Sequence, residues 1–122
     1  MTRPSNNFQF YRGDTKVFTL SFSNPDASPV DITGHTLWFT MKRTANDQDS
    51  EAVLQKRVMF PSTPASVAGS GSLLLDSTET SLIEPGIYLY DMQKVIPGNP
   101  PVVATFISGR IQVLPDITRR NG

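Results

Sequence analysis

The sequence has no cysteine. Disulfides, thiolate metal ligands and a cysteine nucleophile are therefore excluded, and a packed core alone must hold the fold. Such a chain suits a reducing compartment. Histidine is nearly absent as well: His35 is the only one, which rules out a cluster of histidine ligands. Net charge is missing, with 11 Lys and Arg against 11 Asp and Glu. There is thus no long-range pull on nucleic acid or an anionic membrane, and little repulsion between copies. Long apolar runs are missing too, since no stretch approaches the roughly 18 consecutive apolar residues of a membrane span. The opening residues, Met1 to Asn7, contain no apolar segment, so a secretory leader is not expected. No apolar stripe at helical spacing exceeds about two turns, and no repeat of fixed period is present.

What is present is punctuation. The chain of 122 residues holds 10 prolines and 8 glycines, mostly between short apolar runs, the mark of a domain built from many short strands. One domain of this size buries roughly two-thirds of its unfolded surface. Alternation predicts strands at Phe8–Tyr11, at Lys16–Ser23 with Phe18, Leu20 and Phe22 on one face, and at His35–Arg43 with Leu37, Phe39 and Met41 inward. Further strands are predicted over Ala52–Met59 at an edge, Ser72–Leu75, Ile87–Val95 and Val102–Leu114. Ser77–Glu84 reads as one helical turn, capped by Asp76 or Ser77 and ended by Pro85-Gly86. The stretch from Pro61 to Gly71 reads as a mobile loop. About seven strands at this spacing predict an all-β, immunoglobulin-like antiparallel sandwich without its disulfide. Tyr88, just after the Glu84-Pro85-Gly86 corner, occupies the position from which a tyrosine in such domains bonds back to the preceding loop. Tyr90 and Met92 then point inward. Simple space-filling by both tyrosines is the alternative.

No catalytic constellation emerges. His35 sits where a turn meets a strand, no Gly-x-Ser-x-Gly elbow is present, and an exposed polar role is expected. Asp47, Asp49 and Glu51 alternate in a loop, but the glycine and the twelfth-position acid of a calcium loop are missing. Asp76 and Glu79 stand where helix capping needs them. Gly69-Ser70-Gly71 lacks the Gly-Lys-Ser/Thr ending of a phosphate loop. The basic pairs Lys42-Arg43, Lys56-Arg57 and Arg119-Arg120 form no stripe. No metal, cofactor or small-molecule substrate is expected.

The surface is more informative. Trp38, the only tryptophan, falls opposite Leu37, Phe39 and Met41. By the same alternation Leu89 and Phe106 face outward, and the third, sixth and seventh strands of an immunoglobulin-like order are neighbours. Trp38, Leu89 and Phe106 are therefore expected to form an exposed apolar patch of the kind that meets partners. The polar ends, Met1 to Asn7 and Pro115 to Gly122, read as a flexible arm and a tail. Arg119 and Arg120 are expected to pair with acidic groups on a neighbour.

Several segments look familiar: Phe10-Tyr11-Arg12-Gly13-Asp14-Thr15, Val30-Asp31-Ile32-Thr33-Gly34, Leu37-Trp38-Phe39-Thr40-Met41-Lys42, Pro85-Gly86-Ile87-Tyr88-Leu89-Tyr90-Asp91-Met92-Gln93 and the closing Ser108–Arg119. Together they span nearly the whole chain in short pieces. They resemble tailed-bacteriophage virion domains, in particular the amino-terminal domain of baseplate upper proteins and its small stand-alone relatives. The resemblance implies an immunoglobulin-like sandwich, no catalysis, and a virion protein made in the host cytoplasm. Its partners are then other virion proteins and copies of itself, with no nucleic acid or membrane. Larger baseplate proteins continue into further domains beyond the point matching Gly122, so a receptor-reaching role is not expected. A tail or baseplate position and a head-decoration position both fit. The alternative is a carbohydrate-binding β-sandwich using Trp38 and nearby aromatics.

Overall fold

The computed structural model describes residues 7–44, Asn46, Gln48 and residues 51–117. Seven strands run in order: β1 (Phe8–Tyr11), β2 (Lys16–Ser21), β3 (Thr36–Lys42), β4 (Leu54–Met59), β5 (Ser70–Leu75), β6 (Gly86–Ile96) and β7 (Val102–Leu114). Two four-residue helices flank β5, α1 (Pro64–Val67) and α2 (Ser77–Thr80). One sheet has the order β1-β7-β6-β3-β4, and the other pairs β2 with β5. Only β1 pairs in parallel, with Phe8 opposite Ile111. β3, β6 and β7 are neighbours, as the immunoglobulin-like order requires.

Alternation explains the core. Phe18 and Leu20 of β2 and Leu73 and Leu75 of β5 meet Leu37, Phe39, Met41, Tyr88, Tyr90, Met92, Ile111 and Val113 of the larger sheet. Aromatic rings bridge the two layers. Phe18 lies 4.9 Å from Phe8, edge-on, and 5.9 Å from Phe39, which stacks at 5.9 Å on Tyr90. Such pairs add to the burial term through their quadrupoles. Burial pushes the Tyr90 phenol up to about 12, because the anion would lose its hydration.

The corner before β6 forms as the sequence suggests. Tyr88 is buried, and its hydroxyl donates to the Glu84 carbonyl at 2.5 Å. α2 carries a reciprocal capping box: Asp76 accepts from the Glu79 amide at 2.9 Å, and Glu79 accepts from the Asp76 amide at 3.0 Å. Buried Thr80 ties α2 to the β1–β2 turn by donating to the Asp14 carbonyl at 2.8 Å. Lys56 of edge strand β4 reaches across to Glu79 at 2.7 Å and to the Leu74 carbonyl. It closes one side of the sandwich.

Four expectations change. The stretch from Pro61 to Gly71 is built rather than loose. Thr63 caps α1, Pro64 opens it, and buried Ser66 accepts from the Ile32 amide at 3.0 Å. Gly69 ends that turn at φ +80°, where a Cβ would collide with the carbonyl oxygens of Phe22 and Val30. Residues 1–6 of the arm and 118–122 of the tail lie outside the described residues, while Asn7 and Asp116 are docked. Asn7 accepts from the Arg110 amide at 3.0 Å, and Asp116 pairs with Arg12 at 3.3 Å. His35 is half-buried rather than exposed, and its Nδ1 has no hydrogen-bond partner. Phe106 does not face outward. A bulge between Met92 and Gln93 places Ile107 opposite Met92 and Thr105 opposite Gln93. The extra residue, Phe106, turns to the core side and packs edge-on against Phe22 at 5.0 Å.

Candidate functional site

The two-stranded sheet covers the inner face of the five-stranded one. No described element covers the outer face, and the strand register orders it into rows. Met59, Thr36, Val95 and Val103 form the first row, next to the β6–β7 hairpin end. Arg57, Trp38, Gln93 and Thr105 form the second, and Gln55, Thr40, Asp91 and Ser108 the third. Lys42, Leu89 and Arg110 form the fourth. The face thus grades along its strands from apolar, through one indole and a band of hydrogen-bonding groups, to a row with two cations.

This face carries a hollow. The hollow, about 790 Å³, is lined by Trp38, Thr40, Lys42, Gln55, Leu89, Asp91, Gln93, Val95, Val103, Ser108 and Arg110 among others. Trp38 is half-buried, with the Arg57 guanidinium over its ring at 5.8 Å, a favourable cation–π placement. The Gln55 amide donates to the Thr40 hydroxyl at 3.1 Å. Met59 and Val103 are 62% and 54% exposed, so the first row offers apolar surface that none of the described residues covers.

The proposed patch is therefore redrawn. Trp38 and Leu89 do share the outer face, two rows apart, while Phe106 belongs to the core side. Met59, Val95 and Val103 supply the apolar surface instead. Sequence reasoning missed them because their alignment depends on cross-strand register, and Val103 lies beyond a bulge that shifts the parity of β7. Arg119 and Arg120 lie outside the described residues, as do Asp47 and Asp49.

The other candidates have structural work. Asp76 and Glu79 serve the capping box and Lys56, and hydrogen bonds from Thr78 and the Glu79 amide hold the Asp76 carboxyl below its usual range. Glu51 accepts from the Gln48 amide at 3.0 Å. Arg43 lies 3.8 Å from Glu84, both side chains well exposed, a pair of little energetic weight. His35 does not line the hollow. Desolvation, with the nearby Lys94 charge, lowers its pKa, while Asp31 partly opposes this. Among the described residues no group of His, Asp and Glu is placed to hold a metal ion, and no helix is long and apolar enough to cross a membrane.

No family model matches the chain, and no curated protein matches it. Solved structures of similar shape include one named Tim-1. It aligns over 98% of this chain and 100% of its own, with 16% identity and a TM-score of 0.45. At that level the likeness says nothing about activity or partners.

Proposed function

We propose that this chain is a non-enzymatic component of a tailed-phage particle, in the tail or baseplate or as a head decoration, and that it works by binding through the outer face of its five-stranded sheet. The observation that carries this reading is the uncovered face itself. A half-buried Trp38 and the exposed side chains of Met59 and Val103 stand on one sheet face. Exposed apolar rows beside an indole are what partner contacts use. The particle assignment rests on the resemblance of segments such as Phe10–Thr15 and Ser108–Arg119. Electron microscopy and protein analysis of particles made with and without the gene test it: loss of a defined density together with this chain supports the reading.

A second reading, saccharide binding, is favoured by one specific feature. The middle of the hollow is lined by amides, hydroxyls and a carboxylate rather than by apolar side chains. Both readings draw on Trp38 and Val103, so a protein partner seated on this face and a saccharide in the hollow would compete.

A further inference from the structure

We propose that the free edge of β2 pairs with the same edge of a second copy, antiparallel and centred on Thr19, joining the two small sheets into one of four strands. This edge is separate from the outer face of the five-stranded sheet, and the pairing does not depend on what that face binds.

Backbone direction carries the argument. In an antiparallel pair the amide and carbonyl of one residue point to the same side, and successive residues point to opposite sides. The Phe22 amide donates to the Gly69 carbonyl at 2.8 Å, continuing the register that sets Lys16 opposite Leu75. Lys16, Phe18 and Leu20 therefore bond to β5, and the backbone groups of Val17, Thr19 and Ser21 point the other way. The partner strand agrees: the Leu74 carbonyl, opposite Val17, points out of the pair and accepts from Lys56. Among the described residues nothing bonds to the outward groups of Val17, Thr19 and Ser21, and all three residues are exposed. An edge in this state is a template for another strand.

The remaining edges are guarded or short. On β5 the Leu74 carbonyl is taken by Lys56. On β4 the registers that pair most of Leu54–Met59 with a second copy set Lys56 against Lys56 or Arg57 against Arg57, and like charges directly opposite are destabilising. β1 has four residues. β2 contains no proline, glycine or bulge, and its sequence is rich in strand formers. Its one charged residue, Lys16, is held 5.5 Å over the rings of Phe8 and Phe18 in its own chain.

The side chains of β2 suit a second copy of themselves. Centring on Thr19 sets Thr19 opposite Thr19, Val17 opposite Ser21 and Phe18 opposite Leu20. Hydroxyl meets hydroxyl at the centre of the outer side, apolar side chains meet on the core side, and no like charges are opposed. The same register uses the outward groups of all three residues. Zero net charge leaves little repulsion between copies. A contact that pairs one patch with itself closes at two copies and does not grow into a fibre.

Sedimentation equilibrium of the full chain over a concentration series measures the association, and amide hydrogen exchange locates it. The wild type should dimerise, and the amides of Val17, Thr19 and Ser21 should gain protection as it does. Thr19→Lys and Thr19→Glu each set like charges against one another at the two-fold axis. Each should raise the dissociation constant about fivefold or more, with unchanged melting curves. Mixed together they set opposite charges there and should recover the association. Val103→Lys, on the outer face of the other sheet, should dimerise like wild type. A chain that stays monomeric up to about 1 mM overturns the inference. If the Val17, Thr19 and Ser21 amides of that monomer are protected until residues 1–6 are removed, the occupant of the edge is the chain's own end. A dimer indifferent to both Thr19 variants, or a mixture that fails to recover it, overturns the pairing about Thr19. A dimer lost in Val103→Lys alone overturns the edge contact and supports the outer face instead.

Discussion

The Tyr88 hydroxyl donates to the Glu84 carbonyl and locks the corner from which β6 enters the sandwich. The ring is buried beneath the corner, so the bond joins a loop to the core across a span of four residues. Tyr88→Phe keeps the packing and removes the donor. It should cost about 1 kcal/mol in denaturant unfolding, the net worth of one such bond, with an unchanged slope.

Phe106 and Phe22 should behave as a pair. Because the bulge turns Phe106 onto Phe22, Phe106→Ala should destabilise the fold, as would not be expected of an outward-facing side chain. A double-mutant cycle with Phe22→Ala should give a coupling of about 0.5–1.5 kcal/mol, typical of an aromatic pair. A coupling of zero would put Phe106 back on the surface.

Neighbours on β3 should differ sharply. Phe39 is fully buried between Phe18 and Tyr90, and Phe39→Ala should cost about 3–5 kcal/mol. Trp38, on the opposite face, loses only part of its surface to the fold. Trp38→Ala should cost about 1 kcal/mol, as expected for partial burial. Thermal and chemical melts of both variants read the difference.

His35 should make the fold acid-sensitive. Its pKa in the fold lies below the ordinary 6.5, chiefly through desolvation, with the Lys94 charge adding and Asp31 opposing. The neutral ring is therefore the form the fold prefers. The stability this contributes is complete above the unfolded value and is lost as pH falls through the folded one. His35→Gln should flatten the stability profile below about pH 6.5. The lowered carboxyls of Asp26, Asp31 and Asp76 act in the same direction but only below the ordinary 3.8, so the two ranges separate in a pH series of melts.

Much of this architecture was legible in the sequence because period-2 alternation is strict where one face is buried. Phe18 and Leu20, then Leu37, Phe39 and Met41, announce their strands, and Glu84-Pro85-Gly86 followed by Tyr88 announces the corner. Counting by twos fails at Phe106, because a bulge adds a residue that no local pattern marks. α1 was missed because it is a single turn, although Thr63 before Pro64 is a cap signal. The hollow was legible only at Trp38 and Leu89. Thr40, Gln55, Gln93, Ser108 and Arg110 come together through strand register, which depends on pairing between distant segments and not on the composition of any one of them.

The central claim, that the chain is a particle component held through its outer sheet face, is tested most directly by measuring this chain in purified particles by quantitative mass spectrometry. The comparison is between wild type and Val103→Lys, an exposed first-row position whose substitution leaves the core untouched. Wild-type chain should be present at a constant ratio to the other particle proteins, and the folded Val103→Lys chain should be depleted. Particles that contain no wild-type chain, or that carry both forms equally, would contradict the account.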